Sequence, residues 1–178
     1  MKYLESLIYS MEWLGKKNDT IFLGQSVKYS GNAIFNTLKT IPNEKKLETP
    51  VIEDLQMGLS IGLALEGFVP ITCYPRFDFL ILACNQLINH LDKIRHMSKD
   101  RMTPRVIIRT SIGSKTPLDG GVQHTQDYTE VFKSMCSEIN VVMLDNSKDI
   151  FPMFKEAYER EDSKSTLLIE HGDYYNDK

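Results

Sequence analysis

Between residues 55 and 67 the chain reads Leu-Gln-Met-Gly-Leu-Ser-Ile-Gly-Leu-Ala-Leu-Glu-Gly, a helical stretch with little polar face. A helix that is apolar on most sides must be covered on most sides, which demands several layers of structure around it. The stretch is entered through Glu48-Thr49-Pro50-Val51-Ile52-Glu53-Asp54, so a carboxylate, Glu53, falls in its first turn. Gly58 and Gly62, four apart, leave a smooth strip where another backbone can approach. A carboxylate at the mouth of a buried helix needs a partner, and a basic nitrogen on a ligand is one. A first-turn acid also simply complements the positive end of a helix. The residues alone leave Glu53 open between these roles.

The rest of the chain supplies the layers. Leu4, Leu7, Ile8, Met11 and Leu14 follow the spacing of an amphipathic first helix. Strands are expected at 20–23, 46–48, 69–74, 106–110, 141–144 and 166–170. Between them the pattern predicts a short helix within 30–40, the helix from Glu53 to Gly67, and one long helix over 77–97. A glycine-rich loop over 111–123 should lead to a helix over 125–136. A last helix should start near Asn146 or Ser147, with Pro152 early enough for its missing N–H to cost little. Strands alternating with helices imply an α/β fold of three layers, α/β/α, with a mainly parallel, doubly wound sheet. At 178 residues this is one domain with a full core.

Composition excludes several function classes. A net charge of −3, with no basic run interleaved with aromatics, argues against a nucleic-acid surface. No apolar stretch reaches membrane-spanning length, and the start of the chain has no signal-peptide pattern. Three scattered cysteines, Cys73, Cys84 and Cys136, suggest reduced thiols in the cytoplasm and lie at no metal-ligand spacing. Ile112-Gly113-Ser114-Lys115-Thr116 lacks the upstream glycine of a phosphate loop.

In doubly wound sheets ligands bind beyond the carboxyl ends of the strands. Gln25, Glu53, Phe79 and His124 each follow a different expected strand, so the element order alone brings them to one end of the sheet. An aromatic such as Phe79 is a platform for a flat ring, although Phe77 and Phe79 could equally anchor the long helix. A histidine such as His124 can donate or accept near neutral pH, or simply bond backbone at a helix start.

Five stretches, in order and suitably spaced, resemble the pyrimidine-binding domain of thiamine-diphosphate enzymes: Phe22-Leu23-Gly24-Gln25-Ser26-Val27, Thr49-Pro50-Val51-Ile52-Glu53, Phe77-Asp78-Phe79, Asn85-Gln86-Leu87-Ile88-Asn89 and Gln123-His124-Thr125-Gln126. The likeness is greatest to the N-terminal half of the beta subunits of 2-oxo acid dehydrogenase E1 components. It implies that Glu53 bonds the pyrimidine N1′ of thiamine diphosphate and favours its imino tautomer. It also implies that Phe79, with Phe77 and Gln25 nearby, contacts the cofactor, and that His124 works on the substrate carboxylate or acyl acceptor.

Two positions depart from the family pattern. Gln25 stands where these beta subunits generally carry an acid, and Arg76 where they commonly carry an uncharged residue, which suggests an anionic substrate. The Gly-Asp-Gly signature that holds Mg²⁺ and the diphosphate occurs nowhere in the sequence. The resemblance therefore implies a separate alpha-like chain that supplies the metal and the diphosphate clamp, in an assembly of two copies of each chain. The sequence is expected to be a single pyrimidine-binding domain, 1–178, without the C-terminal transketolase-type domain of the beta subunits. The expected activity is cleavage or transfer of a two-carbon or acyl unit from a 2-oxo acid or ketose-like donor to a small acceptor. The alternative is a non-catalytic interaction module that retains the fold.

Overall fold

Six short segments pair into one all-parallel sheet in the computed structural model, which describes residues 1–176. They are β1 (Thr20–Gly24), β2 (Lys46–Glu48), β3 (Val69–Tyr74), β4 (Ile107–Ile112), β5 (Asn140–Leu144) and β6 (Thr166–His171). Their order across the sheet is β2-β1-β3-β4-β6-β5. β3 is buried at all six positions, as expected of a central strand covered on both faces.

Alternation along each strand sends side chains to two cores. On one face Phe22, Ile71, Ile107 and Leu168 pack beneath α1 (Tyr3–Gly15) and α7 (Ser147–Glu159), which contribute Leu7, Met11, Ile150 and Phe154. On the other, Tyr74, Ile108, Leu167 and Ile169 meet α3 (Glu53–Leu65), α4 (Phe77–Leu80) and α6 (Thr129–Met135) through Met57, Ile61, Leu80 and Phe132. The three-layer architecture expected from the element order is therefore the one observed.

At the centre of the first face lies an ion pair that no hydrophobic pattern announces. Arg109 of β4 and Glu170 of β6 are both 0% exposed and meet through Nε–Oε1 at 2.6 Å and Nη2–Oε2 at 3.0 Å. The Thr37 hydroxyl accepts from Arg109 Nη1 at 3.1 Å, and the Tyr175 hydroxyl donates to Glu170 Oε2.

Several elements differ from the sequence expectation. The helix within 30–40 shrinks to α2 (Ala33–Asn36), capped by the Asn32 side chain accepting from the Phe35 amide at 2.9 Å. The expected long helix over 77–97 is broken into α4, a 3₁₀ turn (Ile81–Ala83), a π-helical stretch (Asn85–Leu91) and α5 (Ile94–Met97). Apolar spacing hardly distinguishes these helix types. Directly after the π stretch, Asp92 is 0% exposed, and its carboxylate accepts from the amides of Ser137, Glu138 and Ile139. α6 begins at Thr129, not near 125; just ahead of it Asp127 Oδ1 accepts from the Thr129 amide at 2.8 Å and from the Thr129 hydroxyl, forming a turn that precedes the helix. Pro152 is the sixth residue of α7, beyond the first turn, so one backbone bond is forgone inside the helix.

α3 corrects the opening expectation in an instructive way. Its polar residues Gln56 and Ser60 face inward, where Gln56 Nε2 donates to Thr72 Oγ1 at 2.9 Å and to the Cys73 carbonyl at 3.1 Å. Its leucines Leu55 and Leu59 face out, at 51% and 37% exposure.

Candidate active site

The order of strands creates a crevice. From β1 the chain crosses to β2 on one side and then to β3 on the other, so the loops leaving β1 and β3 diverge at their carboxyl ends. Such a switch point is where open α/β sheets bind ligands. Here Gly24 comes so close to β3 that a Cβ on it would lie 2.4 Å from the Cys73 carbonyl oxygen, and its φ of +149° is one that side chains rarely adopt. The turn beyond it opens a cavity of about 240 Å³, lined by Gln25, Ser26 and Asn32 from the β1 loop, Arg76 and Phe79 after β3, and Ser111 and Ser114 at the end of β4.

Glu53 reaches this cavity by way of Gln25. Glu53 is 6% exposed, and its Oε1 accepts from Gln25 Nε2 at 3.0 Å. Its backbone carbonyl accepts from the buried Tyr74 hydroxyl at 3.2 Å, which ties the first turn of α3 to the end of β3. Among the described residues Oε2 has no hydrogen-bond partner. A buried carboxyl group with one oxygen held and one oxygen open suits a proton shared with a ring nitrogen. Burial, one open oxygen and a neighbouring aromatic together fit the pyrimidine ring of thiamine diphosphate.

Phe79 lies half-buried on the cavity wall, with the His124 ring edge-on to it at 5.5 Å between centroids and 82° between planes. Phe77, expected to share the cofactor contact, is instead 0% exposed in the core, 5.1 Å from Phe132 and 5.7 Å from Tyr128 between ring centroids. It does not line the cavity.

His124 lies in a loop, five residues ahead of α6, and its neighbours fix its tautomer. Nδ1 is 2.9 Å from the Gly120 carbonyl, which can only accept, so Nδ1 donates to it and, in the neutral ring, the lone pair is at Nε2. The N-terminal end of α4 holds this loop. Arg76 Nη1 donates to the His124 carbonyl and the Gly113 carbonyl, both at 3.0 Å, and Asp78 Oδ1 accepts from Gln126 Nε2 at 3.1 Å. Gly120 packs so tightly that a Cβ there would lie 2.8 Å from His124 Cβ and 3.2 Å from Arg76 Nη1.

The sequence reading missed two of these supports. Glu48, at the end of β2, accepts from the amides of Ser26, Val27 and Lys28 and so closes the loop that walls the cavity. Asp78, with Oδ2 buried and unpaired, sits directly between the two phenylalanines that drew attention. Neither has a sequence signal, because each acts through backbone or amide partners distant along the chain.

The transketolase pyrimidine-binding domain model matches residues 10–177. The chain is 26% identical over 175 residues to the 2-oxoisovalerate dehydrogenase subunit beta of Bacillus subtilis (strain 168), covering 96% of this chain and 52% of that protein. It is 26% identical over 169 residues to the pyruvate dehydrogenase E1 component subunit beta of Gracilaria tenuistipitata var. liui, covering 93% and 50%. The chain thus spans about half the length of the curated relatives it matches. Among solved structures, one described as a split gene transketolase, inactive beta4 tetramer, aligns with a TM-score of 0.60 at 17% identity over 94% of this chain and 50% of that one. The matched range takes in all six strands and both walls of the crevice, and on that extent the chain belongs to the transketolase pyrimidine-binding domain family.

Proposed function

We propose that this chain is the pyrimidine-binding subunit of a two-chain thiamine-diphosphate enzyme acting on a 2-oxo acid or ketose-like donor. The observation that carries the reading is the buried Glu53 carboxyl, held at Oε1 by Gln25 and open at Oε2, at the crevice where β1 and β3 part. Thiamine diphosphate, on which the family depends, supplies a thiazolium carbon able to attack a carbonyl. The chain's own part is to orient and to manage protons. Glu53 Oε2 shares a proton with the pyrimidine ring nitrogen, Phe79 offers a face to the ring, and His124 Nε2 takes or gives a proton on the substrate side.

The proposed holder of metal and diphosphate is a second, alpha-like chain, a reading in line with the lack of Gly-Asp-Gly within residues 1–178. Two copies of each chain form the proposed assembly, with cofactor and Mg²⁺ between them. The outward leucines of α3 support such a partner. The free state of Cys73, Cys84 and Cys136 supports a reducing cytoplasm as the setting.

A second reading, a non-catalytic module, is favoured by Gln25 alone, since an amide cannot relay a proton as an acid does. Glu53→Gln in the assembled enzyme separates the two. It keeps shape but cannot share the proton, so exchange of the cofactor C2 proton should slow by about 10²–10⁴-fold while assembly persists. Unchanged exchange would remove Glu53 from the mechanism. Calorimetry on the isolated chain should show weak or no Mg²⁺-dependent cofactor binding, and tight binding would overturn the divided site.

A further inference from the structure

Arg76 is the only ionisable side chain on the cavity wall among the described residues; its neighbours there include Gln25, Ser26, Asn32, Ser111 and Ser114, all neutral. The guanidinium is half-buried and anchored at one nitrogen. Nη1 directs its two protons to the carbonyls of Gly113 and His124, each at 3.0 Å. Gly120 backs against this nitrogen, with space for a Cβ only at 3.2 Å from it. Nε and Nη2 carry three further N–H groups, and none meets an acceptor among the described residues. No described carboxylate pairs with Arg76: Asp173, which neighbours Gly113, is engaged by the amides of Lys115 and Thr116 at 2.7 and 2.8 Å. Anchoring holds the charge in place and leaves its donors for something else.

We infer that Arg76 is a specificity-determining residue that binds an anionic oxygen group, a carboxylate or phosphate, on the molecule admitted beside Phe79. The inference rests on the reading of the crevice as the reaction site, and it adds the substrate's charge to it. Two parallel N–H groups match a carboxylate or phosphate edge in a way that a lysine ammonium cannot. The other polar side chains lining the cavity are serines and amides, so such an anion meets no rival cation there. Because Arg76 also holds the His124 carbonyl, a bound anion would stiffen the loop that carries the imidazole.

The test needs neither cofactor nor partner. Glycerol 3-phosphate, glycerate and glycerol form a series that differs in one group, and each is titrated into the ¹⁵N-labelled chain while the amide resonances of residues 76, 111–114 and 120–124 are followed. Saturable shifts with one or both anions, and none with glycerol, are expected; whichever anion binds more tightly identifies the phosphate or the carboxylate source. Arg76→Gln should weaken that binding by roughly tenfold or more, the worth of charge-assisted hydrogen bonds, and Arg76→Lys should restore only part of it. Anions that leave these amides unmoved, or that bind Arg76→Gln as well as the wild type, overturn the proposal. Should Arg76→Gln lose its fold by circular dichroism, ionic strength decides. Binding to the wild type must then fall as salt rises, and salt-insensitive binding overturns the proposal equally. Proton exchange in Glu53→Gln reports on the catalytic reading by itself, so the two can fail independently.

Discussion

The side-chain amide of Gln25 donates to Oε1 of Glu53 at 3.0 Å, so the residue that departs from the beta-subunit pattern touches the residue that most resembles it. An amide at this place fixes the carboxylate without competing for its proton. Gln25→Glu would set a second carboxylate at about this distance, and repulsion raises the apparent pKa of such a pair. A folded-state pKa above the unfolded value favours folding below the unfolded pKa and disfavours it as pH rises through the folded one. The variant should therefore be less stable than the wild type by about 1–2 kcal/mol near about pH 7, with the deficit closing toward about pH 4. Urea denaturation across that range checks it; a deficit that does not change with pH would remove charge repulsion as its cause.

Arg109 and Glu170 make a pair whose halves cannot be lost singly. Arg109→Leu or Glu170→Leu should each cost about 3–5 kcal/mol, because each leaves the other charge buried alone. The double variant should be more stable than either single one. A double-mutant cycle by urea denaturation measures the coupling. Additive losses would show that the pair acts only through volume.

Asp92 predicts a pH response of its own. Burial pushes its carboxyl up, but the hydrogen bonds from Lys93 Nζ, from the Glu138 and Ser137 amides and from the Ser137 hydroxyl outweigh burial and hold it below the usual range. A depressed folded pKa contributes stability above the unfolded value, and that contribution is lost as pH falls through the folded one. Wild-type stability should fall below about pH 4, and Asp92→Asn should be less stable near about pH 7 with a shallower acid decline. Identical acid slopes in the two proteins would place the response elsewhere.

The outward face of α3 predicts association. Val51 and Ile52, just ahead of the helix, and Leu55 and Leu59 within it are exposed at 73, 51, 51 and 37%, and the 3₁₀ turn packed against α3 adds Ile81 and Leu82 at 42 and 60%. Gly62, in the same helix, has nothing within 4 Å of a built Cβ. Monomers rarely leave such patches bare. Light scattering should find the isolated chain as dimers or larger species, and Leu55→Lys with Leu59→Lys should shift it to monomer with an unchanged circular dichroism spectrum. A wild type that is monomeric at all concentrations would mean the face is tolerated in water.

The strand–helix alternation was legible because buried parallel strands are short apolar runs that differ visibly from amphipathic helices. The meeting of Gln25, Glu53, Phe79 and His124 at one end of the sheet followed from each lying after a different strand. What stayed hidden depends on partners far along the chain. The π-helical stretch is only seven residues long, too short for its wider turn to show as a period, so the break near Asn85 left no trace. The role of Asp92 appears only with residues 137–139 beside it. α3 was read only as a helix with little polar face because hydrophobicity counts side chains without direction, whereas Gln56 turns inward to the end of β3 and leaves the leucines outside.

Tyr3 of α1 donates its hydroxyl to the Leu144 carbonyl at 2.7 Å and accepts from the His171 amide at 3.0 Å, joining the third residue to positions 141 and 168 residues away. A growing chain emerging from the ribosome can therefore pair β1, β2 and β3 early, yet the tie from α1 to the far side of the sheet waits for β5 and β6. Through most of synthesis Leu7, Met11 and Leu14 would have no finished sheet face to cover. A contact pattern this non-local makes for slow closure and an interval in which apolar surface is open to chaperones or to aggregation.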